Sequence, residues 1–373
     1  MKTWIELSAY ALRHNYRQVA NLVAPAQVMA VLKADAYGHG LLQVAEALKA
    51  DAALYGVDRL EEGIQLRQAG FESQIVILGF TEANDVRRAR EYRLDLAISS
   101  LEALEQLHFT TQEKGETLRI HLEIETGLYR LGIPPEDYPR TITFLQAHSD
   151  SIQVQGLFTH FANVEEELDK GFPVLQEQRF QSAVQTFTDA GIRPPQLHMA
   201  CSAAGLVFGA SHFNLVRLGI SLYGLWSSEL VEERSRTRTD VKIVLEPVLS
   251  WKTKIAQVKS VAANETVGYG KTQTLTRASK IAILPIGYYD GYPRALSSVG
   301  NVLIRNRLCP IVGRICMNMC MVDVTDVPQA TAGDEVTLIG LGIPAETVAA
   351  LAGTLHYELI ARLSASIPRR LVA

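Results

Sequence analysis

The feature that most limits what this chain can become is an alternation that runs from about residue 28 to residue 225. Short runs rich in β-branched and aliphatic residues alternate with longer stretches of helical hydrophobic period. The runs are VMAVLKA (28–34), AALYGV (52–57), QIVILGF (74–80), LDLAIS (94–99), LRIHLEIE (118–125), IQVQGLFTH (152–160), PQLHMA (195–200) and FNLVRLGISLYG (213–224). Segments such as LLQVAEALKA and LEEGIQLRQAG lie between them, and the second closes on a glycine, a common helix stop. Eight strands with helical segments between them predict a (β/α)8 barrel of the TIM type. After Trp226 the texture changes. SSELVEERSRTRTD reads as a linker or exposed crossing, and short strands punctuated by Gly and Pro follow it. The fold class is therefore α/β: a barrel over residues 1–230 and a mostly-β domain over 231–373. The opening strand, KTWIELS, can be assigned to either domain.

A length of 373 residues suits one large barrel plus a smaller domain. The net charge of -4 lacks the basic footprint of a nucleic-acid binder. No apolar run reaches the length of a membrane span, and the N-terminus lacks the apolar core of a secretory signal. The four cysteines (Cys201, Cys309, Cys316, Cys320) show neither zinc-type nor disulfide-rich spacing. No metal is expected, and a reducing cytoplasm is the expected location.

Barrel enzymes carry their sites at the C-terminal ends of the strands. At those ends this sequence places Lys33, Arg130, His160, Ser202 and Arg217, with Gly219 and Ile220 just beyond. A lysine inside an apolar strand either snorkels from the strand end or becomes a desolvated nucleophile that forms Schiff bases. The loops ACSAAG and RLGIS follow strands seven and eight, where this fold often binds phosphate; their small residues equally serve close packing. His160 is open to two readings, a core histidine or a site residue. Arg217 in an apolar strand needs buried partners, which a cofactor nitrogen and His160 would supply.

Taken in order, these motifs resemble the bacterial alanine racemases over nearly the full chain. The most specific is AVLKADAYGHG. TGLYRLGI, THFAN, SAA and VRLGISLYGL follow, and then GYGKTQ, IGYYDGYPRA, VGRICMN and IPRR. The resemblance implies a barrel followed by a β domain, pyridoxal 5'-phosphate as cofactor, a small amino acid as substrate, and a homodimer with shared active sites. It implies that Lys33 holds the cofactor and acts as one base, while Tyr269, from the partner's β domain, is the opposing base. Tyrosine ordinarily titrates far above neutrality, so a basic role needs cationic neighbours; the resemblance gives that task to His160 and Arg130. Arg217 matches the residue facing the pyridine nitrogen. Tyr37, Ser202, Gly219 and Ile220 match phosphate-binding positions. Met317 matches the residue whose amide meets the substrate carboxylate, and Tyr288, Arg294 and Arg314 match the entry channel.

Four positions depart from the family pattern. Ala365 stands where a tyrosine usually binds phosphate and narrows the pocket. Glu123 occupies the place of a carbamylated lysine that orients the arginine matching Arg130. Asn318 replaces an aspartate, and Cys201 an asparagine. The resemblance thus implies racemisation of alanine, with serine or a broader range as the alternative because of Ala365. A barrel decarboxylase or a non-catalytic cofactor-binding protein are further alternatives. Decarboxylases of that kind usually present an acid to the pyridine nitrogen, where this chain offers Arg217. Retention of both Lys33 and Tyr269 argues against a non-catalytic role.

Overall fold

The computed structural model describes residues 2–109, 117–166, 171–237 and 242–373. The chain divides into two compact units. One holds Ala11–Ala34 and Ala45–Glu246, and the other holds Met1–Tyr10, Asp35–Val44 and Pro247–Ala373.

The first unit is built on eight parallel strands that follow β1 (Thr3–Ser8) in the chain. They are β2 (Gln27–Val31), β3 (Leu54–Val57), β4 (Gln74–Ile77), β5 (Asp95–Ile98), β6 (Leu118–Glu123), β7 (Ile152–Phe158), β8 (Gln196–His198) and β9 (Leu215–Leu218). Their order in the sheet is β8-β7-β6-β5-β4-β3-β2-β9. Bonds that join the ends include Leu197 N to Asn214 Oδ1 at 2.7 Å, Arg217 N to Ala200 O at 3.0 Å and Asn214 N to Leu197 O at 3.4 Å. The sheet is thereby nearly closed into the expected barrel. Helices such as Leu60–Gln68 and Phe172–Asp189 lie between strands in the chain. A parallel sheet is covered on both faces, so its strands are near-continuous apolar runs; all four residues of β3 are buried.

Each of the eight apolar runs overlaps a strand, and each strand is shorter than its run. The first stops at Val31, two residues before Lys33, because residues 34–37 turn to φ between 53° and 56°. That is a turn of left-handed helix, a conformation costing roughly 1–2 kcal/mol per non-glycine residue. The eighth stops at Leu218 and gives way to a 3-10 turn over Ile220–Tyr223. The polar stretch after Trp226 is not simply a linker, since Glu229–Thr237 is an α-helix. Acidic residues fill its first turn and Arg234 and Arg236 its last, matching the helix dipole, and Arg236 pairs with Glu232 at 2.7 Å. A boundary at residue 230 would cut this helix; the units change over between Glu246 and Pro247. Residues 238–240 of the stretch lie outside the described residues.

The second unit contains β10 (Leu249–Lys254), β11 (Gln257–Val261), β12 (Thr266–Val267), β13 (Gln273–Thr274), β14 (Ser279–Leu284) and β15 (Asn301–Ile304). It continues with β16 (Arg307–Pro310), β17 (Cys320–Asp323), β18 (Glu335–Ile339) and β19 (Arg369–Val372). One sheet has the order β16-β15-β18-β10-β1-β19, and a second has the order β11-β14-β17. The opening strand β1 therefore sits in the second unit, antiparallel to β10 and parallel to β19. Trp251 helps anchor it: the ring is fully buried, its Nε1 donates to Thr3 Oγ1 at 3.1 Å, and Tyr292 meets it edge-on.

Candidate active site

Lys33 follows the end of β2 at the C-terminal mouth of the barrel. The chain just before it is held firmly: Leu32 N donates to Gly56 O at 2.7 Å, and the buried Tyr223 hydroxyl donates to Val31 O at 2.9 Å. Burial pushes the Lys33 amine below its ordinary range. Asp58 and Glu62 oppose that shift, while Arg130 and Arg217 add to it. Among the described residues no carboxylate lies within ion-pair distance of Lys33. An amine in this setting is partly neutral at lower pH than a free lysine, the state required of a nucleophile or base.

Arg217, on β9, is buried and densely bonded. Its Nη1 donates to His198 Nδ1 at 2.8 Å and His198 O at 2.9 Å. Its Nη2 reaches Thr159 O at 2.7 Å, His160 Nδ1 at 3.1 Å and Met199 O at 3.3 Å. The guanidinium also lies over the Phe158 ring, 5.4 Å from its centroid. Because a guanidinium only donates, His160 must accept through Nδ1, and a neutral ring then carries its proton on Nε2. Burial, together with Arg217, Arg130 and Lys33, holds His160 well below the usual imidazole range, so the ring is neutral. Gln176 supports this segment: its amide nitrogen donates to His160 O and its oxygen accepts from Ala162 N.

Arg130 is exposed on the loop after β6. Glu123, at the end of β6, is buried; burial raises its carboxyl, and Arg130 and Arg217 oppose the rise. No ion pair joins Glu123 and Arg130 among the described residues. Ser202, Gly219 and Ile220 do come together. Ser202 Oγ accepts from Gly219 N at 2.9 Å and Ser221 N at 3.4 Å. With both lone-pair directions used by amides, the hydroxyl proton is left to donate outward. The Gly219 amide is occupied by Ser202, so the loop presents a hydroxyl more directly than that amide. Cys201, beside Ser202, is a thiol that burial pushes up to about 11.

The remaining candidates belong to the second unit. Tyr37 closes the left-handed turn, and its ring lies 6.5 Å from that of Tyr357. That turn is secured by Asp35 Oδ1, which accepts from Leu41 N at 2.8 Å. Arg369 also donates to Gly38 O at 2.9 and 3.0 Å. Gly38 is required there, because a Cβ would fall 1.9 Å from Ile360 O. Tyr269 is 73% exposed on a turn flanked by Gly268 and Gly270, and a Cβ on Gly270 would lie 2.9 Å from the Arg314 guanidinium. Met317 and Tyr288 occupy adjoining loops, joined by Tyr288 N to Cys316 O at 3.1 Å and Tyr289 N to Met317 O at 3.0 Å. Arg294, Asn318 and Ala365 are exposed.

Residues 7–227 match the alanine racemase N-terminal domain and residues 248–371 match the alanine racemase C-terminal domain. This chain belongs to the alanine racemase family. Alanine racemase of Desulforamulus reducens is 36% identical over 98% of both chains, and alanine racemase 1 of Oceanobacillus iheyensis is 37% identical over 99% of this chain and 98% of the relative. The crystal structure of alanine racemase from the D-cycloserine-producing Streptomyces lavendulae superposes with a TM-score of 0.92 at 31% identity, covering 100% of this chain and 97% of that one. The Bacillus anthracis alanine racemase, solved with bound L-Ala-P, gives 0.91 at 30% identity over 100% and 95% of the two chains. Alanine racemases are isomerases that depend on pyridoxal phosphate, and this chain is an enzyme of that class. No helix among the described residues is long and apolar enough to cross a membrane.

The sequence reading missed the partners of Arg217 on its far side, His198 and, behind it, His121 and Asp95. The signal for them was polar residues inside apolar runs: His198 in PQLHMA, His121 in LRIHLEIE and Asp95, the second residue of LDLAIS.

Proposed function

We propose that this alanine racemase family member interconverts L- and D-alanine using Lys33 of one subunit and Tyr269 of its partner as opposed bases, with pyridoxal 5'-phosphate as cofactor. The observation that carries this reading is the grouping of a desolvated Lys33 amine with Arg217 and a neutral His160 at one barrel mouth. The residues present fit the cofactor. Lys33 has no ion pair among the described residues and suits an aldehyde, Ser202 offers a hydroxyl to a phosphate, and the cations suit an anionic ligand. Bound there, the cofactor supplies the electron sink that acidifies the substrate Cα–H.

Lys33 is the attachment point and, once released, takes or returns the proton on one face of Cα. Tyr269 does the same on the other face, which is what inversion requires. His160, with its proton on Nε2, donates toward the tyrosine oxygen and with Arg130 favours its anionic form. Arg217 does not give up its protons and would offer a hydrogen bond to the ring nitrogen, which would moderate the electron withdrawal the cofactor supplies. Tyr37, Ser202, Gly219 and Ile220 bind phosphate; Met317 and Arg130 orient the carboxylate, and Tyr288, Arg294 and Arg314 line the entry. The bound L-Ala-P of the Bacillus anthracis relative supports alanine as substrate.

A homodimer is supported by the loops of the second unit, where Tyr269, Tyr289, Met317 and Met319 are each more than half exposed in one chain. A cytoplasmic location accords with the cysteine pattern, and all four cysteines are free thiols. Serine or a broader substrate range is the second reading. The small, exposed Ala365 supports it, because it leaves open the space that the usual tyrosine would narrow.

Subunit complementation tests the shared site. Lys33→Ala and Tyr269→Phe chains are inactive alone. Refolded as an equal mixture, they should recover about a quarter of wild-type alanine racemisation, since half the dimers are mixed and each has one intact site. No recovery in confirmed mixed dimers would place both bases in one chain.

A further inference from the structure

Beneath Arg217 a line of polar side chains runs through the interior of the barrel to the opposite end of the strands. Arg217 Nη1 lies 2.8 Å from His198 Nδ1, and His198 Nε2 lies 3.0 Å from His121 Nδ1. His121 Nε2 lies 3.6 Å from Asp95 Oδ2, within ion-pair distance but beyond a hydrogen bond, and has no hydrogen-bond partner among the described residues. Asp95 in turn holds Arg119 Nε at 2.7 Å and Gln74 Nε2 at 2.7 Å. Both imidazoles are 0% exposed, and Asp95 is 1% exposed. Asp95 and Gln74 are the first residues of β5 and β4, so they sit at the end of the barrel away from Lys33. Polar groups placed in a barrel core are costly unless they bond to one another.

The donors and acceptors along this line have one consistent direction. Arg217 cannot accept, so His198 must accept at Nδ1 and, being neutral, carries its proton on Nε2. That proton is donated to His121 Nδ1, so a neutral His121 carries its own on Nε2, on the side of the Asp95 carboxylate 3.6 Å away. Hydrogen bonds set the tautomer of each ring from the Arg217 end, and the Asp95 charge favours the same tautomer from the other. The walls are shaped to the line as well. A Cβ at Gly156 would fall 2.2 Å from His121 Nδ1, so glycine there leaves room for the ring. Phe158 stacks on His198 at 4.8 Å with an interplanar angle of 4°, and its ring also lies beneath Arg217.

We propose that Asp95 and His121 are positioning residues that set the tautomer of His198 from the far end of the barrel and so hold Arg217 in its buried orientation. Without the Asp95 carboxylate, the charge that favours a proton on His121 Nε2 is lost, and Arg217 alone opposes the Nδ1-protonated forms of His121 and His198. In the Nδ1-protonated form His198 would present a donor to the donor on Arg217. The bond breaks, and the Arg217–His160 pair loosens with it. The consequence for the cofactor rests on the reading that Arg217 faces the ring nitrogen.

The test is nitrogen NMR of the full chain labelled with 15N-histidine, with and without pyridoxal phosphate. In the wild type, His121 and His198 should both be protonated on Nε2 and unprotonated on Nδ1, a measurement that needs no variant. In Asp95→Ala the His198 signals should move to a mixture of tautomers, and the pyridoxal phosphate dissociation constant should rise about tenfold, the value of one hydrogen bond to a charged group. The kcat for alanine should fall while KM changes little. His121→Phe, which keeps the ring shape, should reproduce these effects if Asp95→Ala does not fold. Nδ1 protonation of His198 in the wild type, or the same His198 signals in both variants, overturns the proposal. So does a shifted tautomer with unchanged cofactor affinity. If the wild type binds no pyridoxal phosphate, the functional reading fails instead, and the tautomer measurements still decide the buried line.

Discussion

The two units handle reactive side chains in opposite ways. In the barrel, Arg217, His198 and Asp95 are buried and are bonded to groups of the same chain. In the β-rich unit, Tyr269, Tyr288, Met317 and Ala365 sit on loops with much of their surface exposed. A parallel barrel can hold a charge at its core because eight strands surround it with backbone carbonyls and neighbouring rings; Arg217 uses three such carbonyls. A loop on a β-sheet has no such enclosure. Under the proposed function, the buried side orients the cofactor, and the exposed side becomes a site when a second chain covers it.

The largest effect expected from breaking this contrast is at Tyr269. Tyr269→Phe should lower racemisation by roughly 10²–10⁴-fold, the usual worth of a general base. The loss should be uneven between directions: deuterium uptake at Cα should persist from one enantiomer and nearly vanish from the other. Near-normal rates both ways would remove Tyr269 from the base role. Next is Ala365→Tyr, expected to change the serine-to-alanine ratio of kcat/KM by about 10–200-fold in favour of alanine, the range one added or lost methylene achieves in a pocket. An unchanged ratio would show that this position does not gate the substrate.

A smaller effect sharpens the barrel side. Asp58 raises the Lys33 amine against the downward pull of burial. Asp58→Asn should therefore lower that amine further, so the acidic limb of the kcat/KM profile moves to lower pH. The checking measurement is the pH profile, supported by the rate of Lys33 modification in cofactor-free protein; a shift to higher pH would contradict the assignment. The smallest effect belongs to the β unit, at Glu6. Burial raises its carboxyl, but hydrogen bonds from Lys252, Trp4 and Arg370 outweigh that and hold it at about 2. A carboxyl depressed in the folded state stabilises above its unfolded value, and the gain is lost as pH falls from the ordinary range through about 2. Glu6→Gln should cost about 1–2 kcal/mol at neutral pH after allowance for solvent screening, and nothing near pH 2. Thermal melts at the two pH values check it.

The barrel was legible because parallel strands buried on both faces must be apolar throughout, and a run such as QIVI in β4 carries that mark without any partner in view. Lys33, His160 and Arg217 stood out for the complementary reason, as polar side chains within or at the end of apolar runs. The helix Glu229–Thr237 was not legible as such, since its stabilising features are charge placement and two buried residues, Val231 and Ser235, in a polar stretch. The placement of β1 was equally hidden: a strand of alternating burial fits any sheet until β10 and β19 are there to pair with it.

By itself, then, the sequence determined the alternating elements, the family and the reactive side chains at the barrel mouth, because these rest on local patterning and ordered motifs. Only the tertiary structure decided what those side chains touch. His121 and His198 stand 77 residues apart in the chain and 3.0 Å apart in space. Closing the sheet brings strands β5, β6, β8 and β9 around one axis, and the direction of the hydrogen bonds from Arg217 through His198 to His121 follows from that closure.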